Sequence, residues 1–97
     1  YVLAYNYTEV LEQLACIARY LNLEGGEPKS LVEWLINLLE TLEMPNKLSS
    51  LGVDETHIPE LTKMAINDQA AASNPKPLEA SIVTSIYNDA LQGKFKL

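Results

Sequence analysis

Between Leu31 and Leu42, eight of twelve positions hold large apolar side chains: Leu31, Val32, Trp34, Leu35, Ile36, Leu38, Leu39 and Leu42. Only Glu33, Asn37, Glu40 and Thr41 interrupt them. On an α-helix those four gather on one side and leave an apolar arc of about 200°, roughly twice the stripe of an ordinary surface helix. Such a helix needs neighbours around most of its circumference. The rest of the chain is therefore expected to fold as cover for it, and any part of the arc left uncovered is a surface for something else.

Ninety-seven residues, 47% apolar with five Pro and four Gly, suit one domain with one core and exclude a disordered or low-complexity chain. A net charge of −6, a pI near 4.6 and seven scattered basic residues argue against nucleic acid or an anionic membrane as partner. Cys16 stands alone, so no internal disulfide can form; a buried thiol in a reducing, cytoplasmic setting is the simplest expectation. No apolar run reaches membrane-spanning length, and no secretory signal opens the chain. Tyr1-Val2-Leu3-Ala4-Tyr5 opens as an apolar helix without an initiator Met or a cap, which predicts the tail of a longer protein.

Helical spacing predicts an all-α chain, an irregular bundle of four to five helices plus a short helical turn. The opening helix stops near Asn6. Thr8 is the expected cap of a second helix over Glu9 to Leu21, with Val10, Leu11, Leu14, Ile17, Ala18 and Leu21 inward. Gly25, Gly26 and Pro28 break it, and Ser30 with Glu33 has capping-box spacing for the wide-arc helix, although Pro28 allows an earlier start. Met44-Pro45 ends that helix. Asn46 to Leu51 reads as a helical turn closed by Gly52 in a left-handed stop. A fourth helix starts at Thr56 or His57, with Pro59 in its first turn and Ile58, Leu61, Met64 and Ala65 inward. Ala70 to Pro77 is expected to be an extended, stiff loop. The last helix faces Ile82, Val83, Ile86, Tyr87, Ala90 and Leu91 inward and ends at Gly93.

Catalytic chemistry is sparse. One His and one Cys cannot supply the usual three or four ligands of a zinc or iron site. Asp54 and His57, three apart, could share a metal or act as an oriented base, but they also suit a helix start in water, which is the reading preferred here. Glu24 with Glu27, and Glu40 with Glu43, read as solvated faces. Gly25-Gly26 lacks the strand and further glycines of a phosphate loop. Leu51-Gly52-Val53-Asp54 resembles the lead into an acyl carrier helix, but Glu55 stands where the modified Ser would be. No catalytic, cofactor-binding or metal-binding residue is assigned.

A second resemblance covers nearly the whole chain. Met44-Pro45, Leu48, Leu51-Gly52-Val53, Ile58-Pro59, Leu61, Ala65, Asp68, Asn74-Pro75-Lys76, Ile82, Ile86-Tyr87 and Ala90 form an ordered series similar to the tail of iron-containing (group III) alcohol dehydrogenases, of the dehydroquinate-synthase-like superfamily. Val2-Leu3-Ala4-Tyr5-Asn6 resembles the helix end after that family's last metal-binding histidine. Tyr7 to Glu27 agrees in helical pattern only.

The resemblance implies that residues 1–97 are the C-terminal segment of an all-α metal-binding domain. It further implies a separate N-terminal domain for NAD(P), iron or zinc held by one Asp and three His, and a small alcohol or aldehyde as substrate. None of those ligands maps onto this chain: His57 falls where relatives place Asp. The chain alone is then expected to bind no cofactor, to be non-catalytic, to pair with the N-terminal part of the same enzyme and, without it, to self-associate. Ala70, Ala71 and Asn74 correspond to a segment that approaches the substrate cleft, with Ala70 where some relatives carry Cys; close helix packing explains the alanines equally well. Ser81 replaces the acidic residue often opening the last helix. The competing readings are a stand-alone acidic helical interaction module and a relative that has lost its catalytic half and serves as a scaffold.

Overall fold

A computed structural model describes all residues, 1–97, as helices joined by turns, with no strand. The all-α expectation holds. The chain forms two compact units instead of one core: Thr8–Met44, and Tyr1–Tyr7 together with Pro45–Leu97.

The Thr8–Met44 unit is a hairpin of α2 (Leu11–Tyr20) and α3 (Pro28–Thr41), which pack on each other. Leu14 and Ala18 on α2, and Leu31 and Val32 on α3, are its buried residues. Thr8 does not cap α2, because it lies in the 3₁₀ turn Tyr7–Glu9 and Val10 takes the N-cap position without a side-chain hydrogen bond. Helix α3 starts at Pro28, whose missing N–H is no loss in a first turn. Ser30 is thus already helical, and its hydroxyl donates to the Glu24 carbonyl at 2.8 Å instead of capping.

Both helices stop earlier than expected, by the same device. Asn22 and Glu43 adopt left-handed backbone, φ +53° and +54°. Leu23 N–H then donates to Ala18 C=O and Met44 N–H to Leu39 C=O, while Asn22 and Glu43 bond back to Arg19 and Glu40, satisfying the last-turn carbonyls. The glycine pair that was expected to break α2 therefore lies beyond its actual stop.

The central role expected of the wide-arc helix is not realised. A single partner helix covers one stripe, and Trp34, Leu38, Leu39 and Leu42 remain exposed, Leu42 at 61%. Leu11 and Ile17 on α2 and Leu21 at its C-cap are exposed as well, and Cys16, expected to be buried, faces solvent.

The second unit is built on α4 (Ile58–Asn67) packed against α5 (Ala80–Gln92). Ile58 and Thr62 on α4, and Val83, Ala90 and Leu91 on α5, are buried. Thr62 Oγ1 lies 3.2 Å from Thr84 Oγ1, so the buried hydroxyl has its partner. Met64, expected inward, is 61% exposed. Ile58, Leu61, Thr62 and Ala65 share one stripe, and Met64 lies about 110° from its centre. A 3₁₀ turn, Leu48–Leu51, rests on α5 and closes at Gly52, whose φ of +79° lets Val53 N–H reach the Leu48 carbonyl. Gly93 ends α5 in the same way, with Lys94 N–H on the Asp89 carbonyl at 2.8 Å.

Candidate functional site

Within the second unit, α1 (Val2–Asn6) meets the strap that joins α4 to α5. Five residues are far below the length at which a helix holds itself in water, so α1 depends on what grips it. Tyr1 OH donates to the Asn46 carbonyl at 2.6 Å, and its ring meets Phe95 edge-on. Partial burial, then the charge of Asp89, pushes the Tyr1 phenol above its ordinary pKa.

At the other end of α1 the grip is polar. Asn6 Nδ2 donates to Asn74 Oδ1 at 2.7 Å and Asn74 Nδ2 donates to Asn6 Oδ1 at 2.9 Å, a reciprocal amide pair across 68 residues. Asn74 Nδ2 also donates to the Lys76 carbonyl at 2.6 Å. Lys76 Nζ donates to the Tyr5 carbonyl at 3.0 Å and lies 4.4 Å from the centre of the Tyr5 ring. Tyr5 OH returns the link by donating to the Pro77 carbonyl at 2.6 Å. Each neutral bond contributes about 0.5–1.5 kcal/mol net, but removing one partner strands a buried group at about 1–3 kcal/mol.

The strap is not extended throughout, as its Pro and small residues suggested. Asp68 accepts from Ala70 N–H at 2.8 Å and caps a 3₁₀ turn, Gln69–Ser73; only from Asn74 (φ −64°, ψ 137°), ahead of Pro75, does the chain run extended. An open hollow of about 410 Å³ is lined by Ile66, Asp68, Ala71, Ala72 and Asn74 and by the Pro75–Leu78 segment. Of the three residues matched to a cleft segment, Ala71 and Asn74 face this hollow. Ala70 is exposed and off it. Asn6 was legible only as a helix stop and Lys76 only as part of a motif; a polar residue closing the run Val2 to Tyr5 is the one signal pointing to Asn6.

Asp54 and His57 form a helix-start device. Asp54 accepts from the Thr56 N–H at 2.8 Å and from the Thr56 hydroxyl, and His57 Nδ1 accepts from Asp54 N–H at 3.0 Å, a capping box leading into α4. Because Nδ1 is an acceptor there, the 3.3 Å approach of Nδ1 to the Asp54 carboxylate is no ion pair in this arrangement. The Thr56 hydroxyl and N–H hold the Asp54 carboxyl below its usual range. Both side chains are exposed, and no group of three or more His, Cys, Asp or Glu side chains converges anywhere in the structure. The donors present do not fit an iron or zinc ion.

Residues 1–91 match the model of the Fe-containing alcohol dehydrogenase family, C-terminal. The chain belongs to that family. Two curated relatives agree: an NADPH-dependent butanol dehydrogenase of Clostridium saccharobutylicum, 30% identical over 101 residues covering 96% of this chain and 26% of the relative, and a choline dehydrogenase of Bacillus subtilis (strain 168), 30% identical over 92 residues covering 89% and 23%. The chain thus spans about a quarter of the length of the relatives it matches. No solved structure matches it. Membership in the Fe-containing alcohol dehydrogenases implies iron and NAD(P) in an intact enzyme, while no metal site is formed by the residues here. No helix is long and apolar enough to cross a membrane.

Proposed function

We propose that this chain is the C-terminal helical part of an iron-type, NAD(P)-dependent alcohol dehydrogenase that interconverts a small alcohol and its aldehyde by hydride transfer, in a cytoplasmic setting. The match over residues 1–91 carries the reading. Held by residues elsewhere in the protein, the metal would polarise the substrate oxygen. The work of this chain is structural: it backs the metal-bearing part of its domain, and the strap with Ala71 and Asn74 forms part of the cleft wall. Its partner is the preceding part of the same enzyme, seated on apolar surface that includes Trp34, Leu39 and Leu42.

The test pairs the 97-residue chain with the protein encoded by its complete reading frame. The longer protein is expected to reduce NAD(P)⁺ with a small primary alcohol and to lose that activity to a chelator; the chain alone is expected to be inactive and to self-associate. Turnover by the chain alone, or none by the longer, metal-loaded protein, refutes the reading. The exposed face of α3 also suits a stand-alone acidic interaction module, for which a start codon just before Tyr1 would decide.

A further inference from the structure

The strap between α4 and α5 has little of its own to hold it. The hydrogen bonds of Gln69–Ser73 are local, from Ala70 and Ala71 to Asp68 and from Ser73 to Ala70, and four of those five residues are exposed. The long-range hydrogen bonds of the segment all run to α1, through Asn6–Asn74, Lys76–Tyr5 and Tyr5–Pro77. Apolar packing does not set the seat of α1 tightly, since an open cavity of about 200 Å³ lies between Ala4 and Tyr5 on α1 and Ile82 and Ile86 on α5.

Asn6 is 7% exposed, and its amide has one orientation available. Turning the Asn74 amide over would set its oxygen against the Lys76 carbonyl, so that carbonyl fixes Asn74. Turning Asn6 over would then set oxygen against oxygen and NH₂ against NH₂, so Asn74 fixes Asn6. Lys76 adds its charge at the Tyr5 carbonyl, in the last turn of α1 where the helix dipole is negative. Asn74 lines the hollow and Asn6 does not.

We infer that Asn6 is a positioning residue: through its paired amides with Asn74 it sets the conformation of the strap, and with it the wall of the hollow that Ala71 and Asn74 line. The link to the strap stands by itself; the link to alcohol turnover rests on the proposed function.

Amide hydrogen exchange on the full 97-residue chain tests the first link. Asn6→Ala is expected to speed exchange at the Ala71 and Asn74 amides by about five- to thirtyfold while α4 keeps its rates, and Asn6→Ala with Asn74→Ala is expected to do no more than Asn74→Ala alone, which also removes the bond to the Lys76 carbonyl. Unchanged strap rates, an equal rise throughout α4 and α5, or additive effects overturn the inference. Should Asn6→Ala not fold, Asn6→Asp keeps the acceptor for Asn74 and sets a carboxylate oxygen against Asn74 Oδ1 where the donor was, and is read by the same criteria. In the longer enzyme, Asn6→Ala is expected to raise KM for the alcohol several-fold with little change in kcat; an unchanged KM overturns the second link. Absence of turnover in the unsubstituted enzyme refutes the functional reading instead and leaves the exchange result in force.

Discussion

Leu31 on α3 and Leu42, at its C-cap, offer a direct measure of how much of the apolar arc this chain covers. Leu31 is 4% exposed and Leu42 is 61% exposed. Leu→Ala at a buried site removes the transfer free energy of the lost carbons and leaves a void, together about 2.7–5 kcal/mol. With α2 as the only helix packed on α3 in its unit, the void can partly collapse, which puts Leu31→Ala near the lower end, about 2–3 kcal/mol. At Leu42 most of the side chain is already wet, and the same change costs less than about 1 kcal/mol. For a chain of this size the difference is a shift in Tm of roughly 10–20 °C for Leu31→Ala against a few degrees for Leu42→Ala. Urea unfolding followed by Trp34, the single tryptophan and itself on α3, reads the two variants from inside the affected helix. Equal destabilisation within about 0.5 kcal/mol would refute the reasoning, because the two sites would then be equally covered. In the longer protein the proposed partner covers Leu42, and Leu42→Ala there is expected to approach the Leu31 value.

Glu43→Gly is expected to stabilise by up to about 1 kcal/mol, since it relieves a left-handed residue that carries a Cβ; a lower urea midpoint would count against the stop described for α3. Gly52→Ala is expected to destabilise by about 1–2 kcal/mol from backbone strain alone, because a Cβ there meets nothing within 4 Å. Thr62→Val is expected to cost about 1 kcal/mol by stranding the half-buried Thr84 hydroxyl, and Thr62→Val with Thr84→Val to recover most of it in a double-mutant cycle. The Asp54 carboxyl is held below its usual range in the folded chain, so its contribution is full above about pH 4 and is lost as pH falls through the lowered folded value; urea midpoints across that range should fall less steeply in Asp54→Asn.

The helices were legible because their apolar period is local: α2, α3, α4 and α5 can each be read from a dozen residues. The structure departs from that local pattern where the decisive physics is not apolar or not local. Thr62 is buried because a second hydroxyl, on α5, meets it, whereas a count of apolar positions takes Met64 in its place. Thr8 and Ser30 have good capping chemistry, but Val10 and Pro28 decide where the helices start, and the stops fall on Asn22 and Glu43, which no glycine pattern flags. The wide apolar arc of α3 is plain in the sequence, but the sequence does not show that α2 is the helix packed on it in its unit and that Trp34, Leu38, Leu39 and Leu42 stay exposed. The grip on α1 depends on a pair of amides 68 residues apart, so Asn6 alone carried almost no signal, while Asn74 could be matched only through the family's ordered series.

The chemistry of these residues and the shape they build point the same way. Thirteen acidic side chains, one histidine and one cysteine are spread so that no three could hold a metal, and the acidic group whose pKa is moved, Asp54, is moved by the bonds that start α4. Under the proposed function the chain contributes by holding geometry, because a misplaced cleft wall lowers turnover even when every reacting group is intact. The strap is where such a contribution would be felt: it is short of internal support, it borders a hollow, and it is tied to α1 by groups whose orientations leave one arrangement. An apolar seat would let α1 slide by fractions of an ångström with little penalty, whereas two facing amides lose both bonds when either turns. The polar grip at Asn6 thus specifies the register of the strap in a way that the loosely filled space between α1 and α5 cannot.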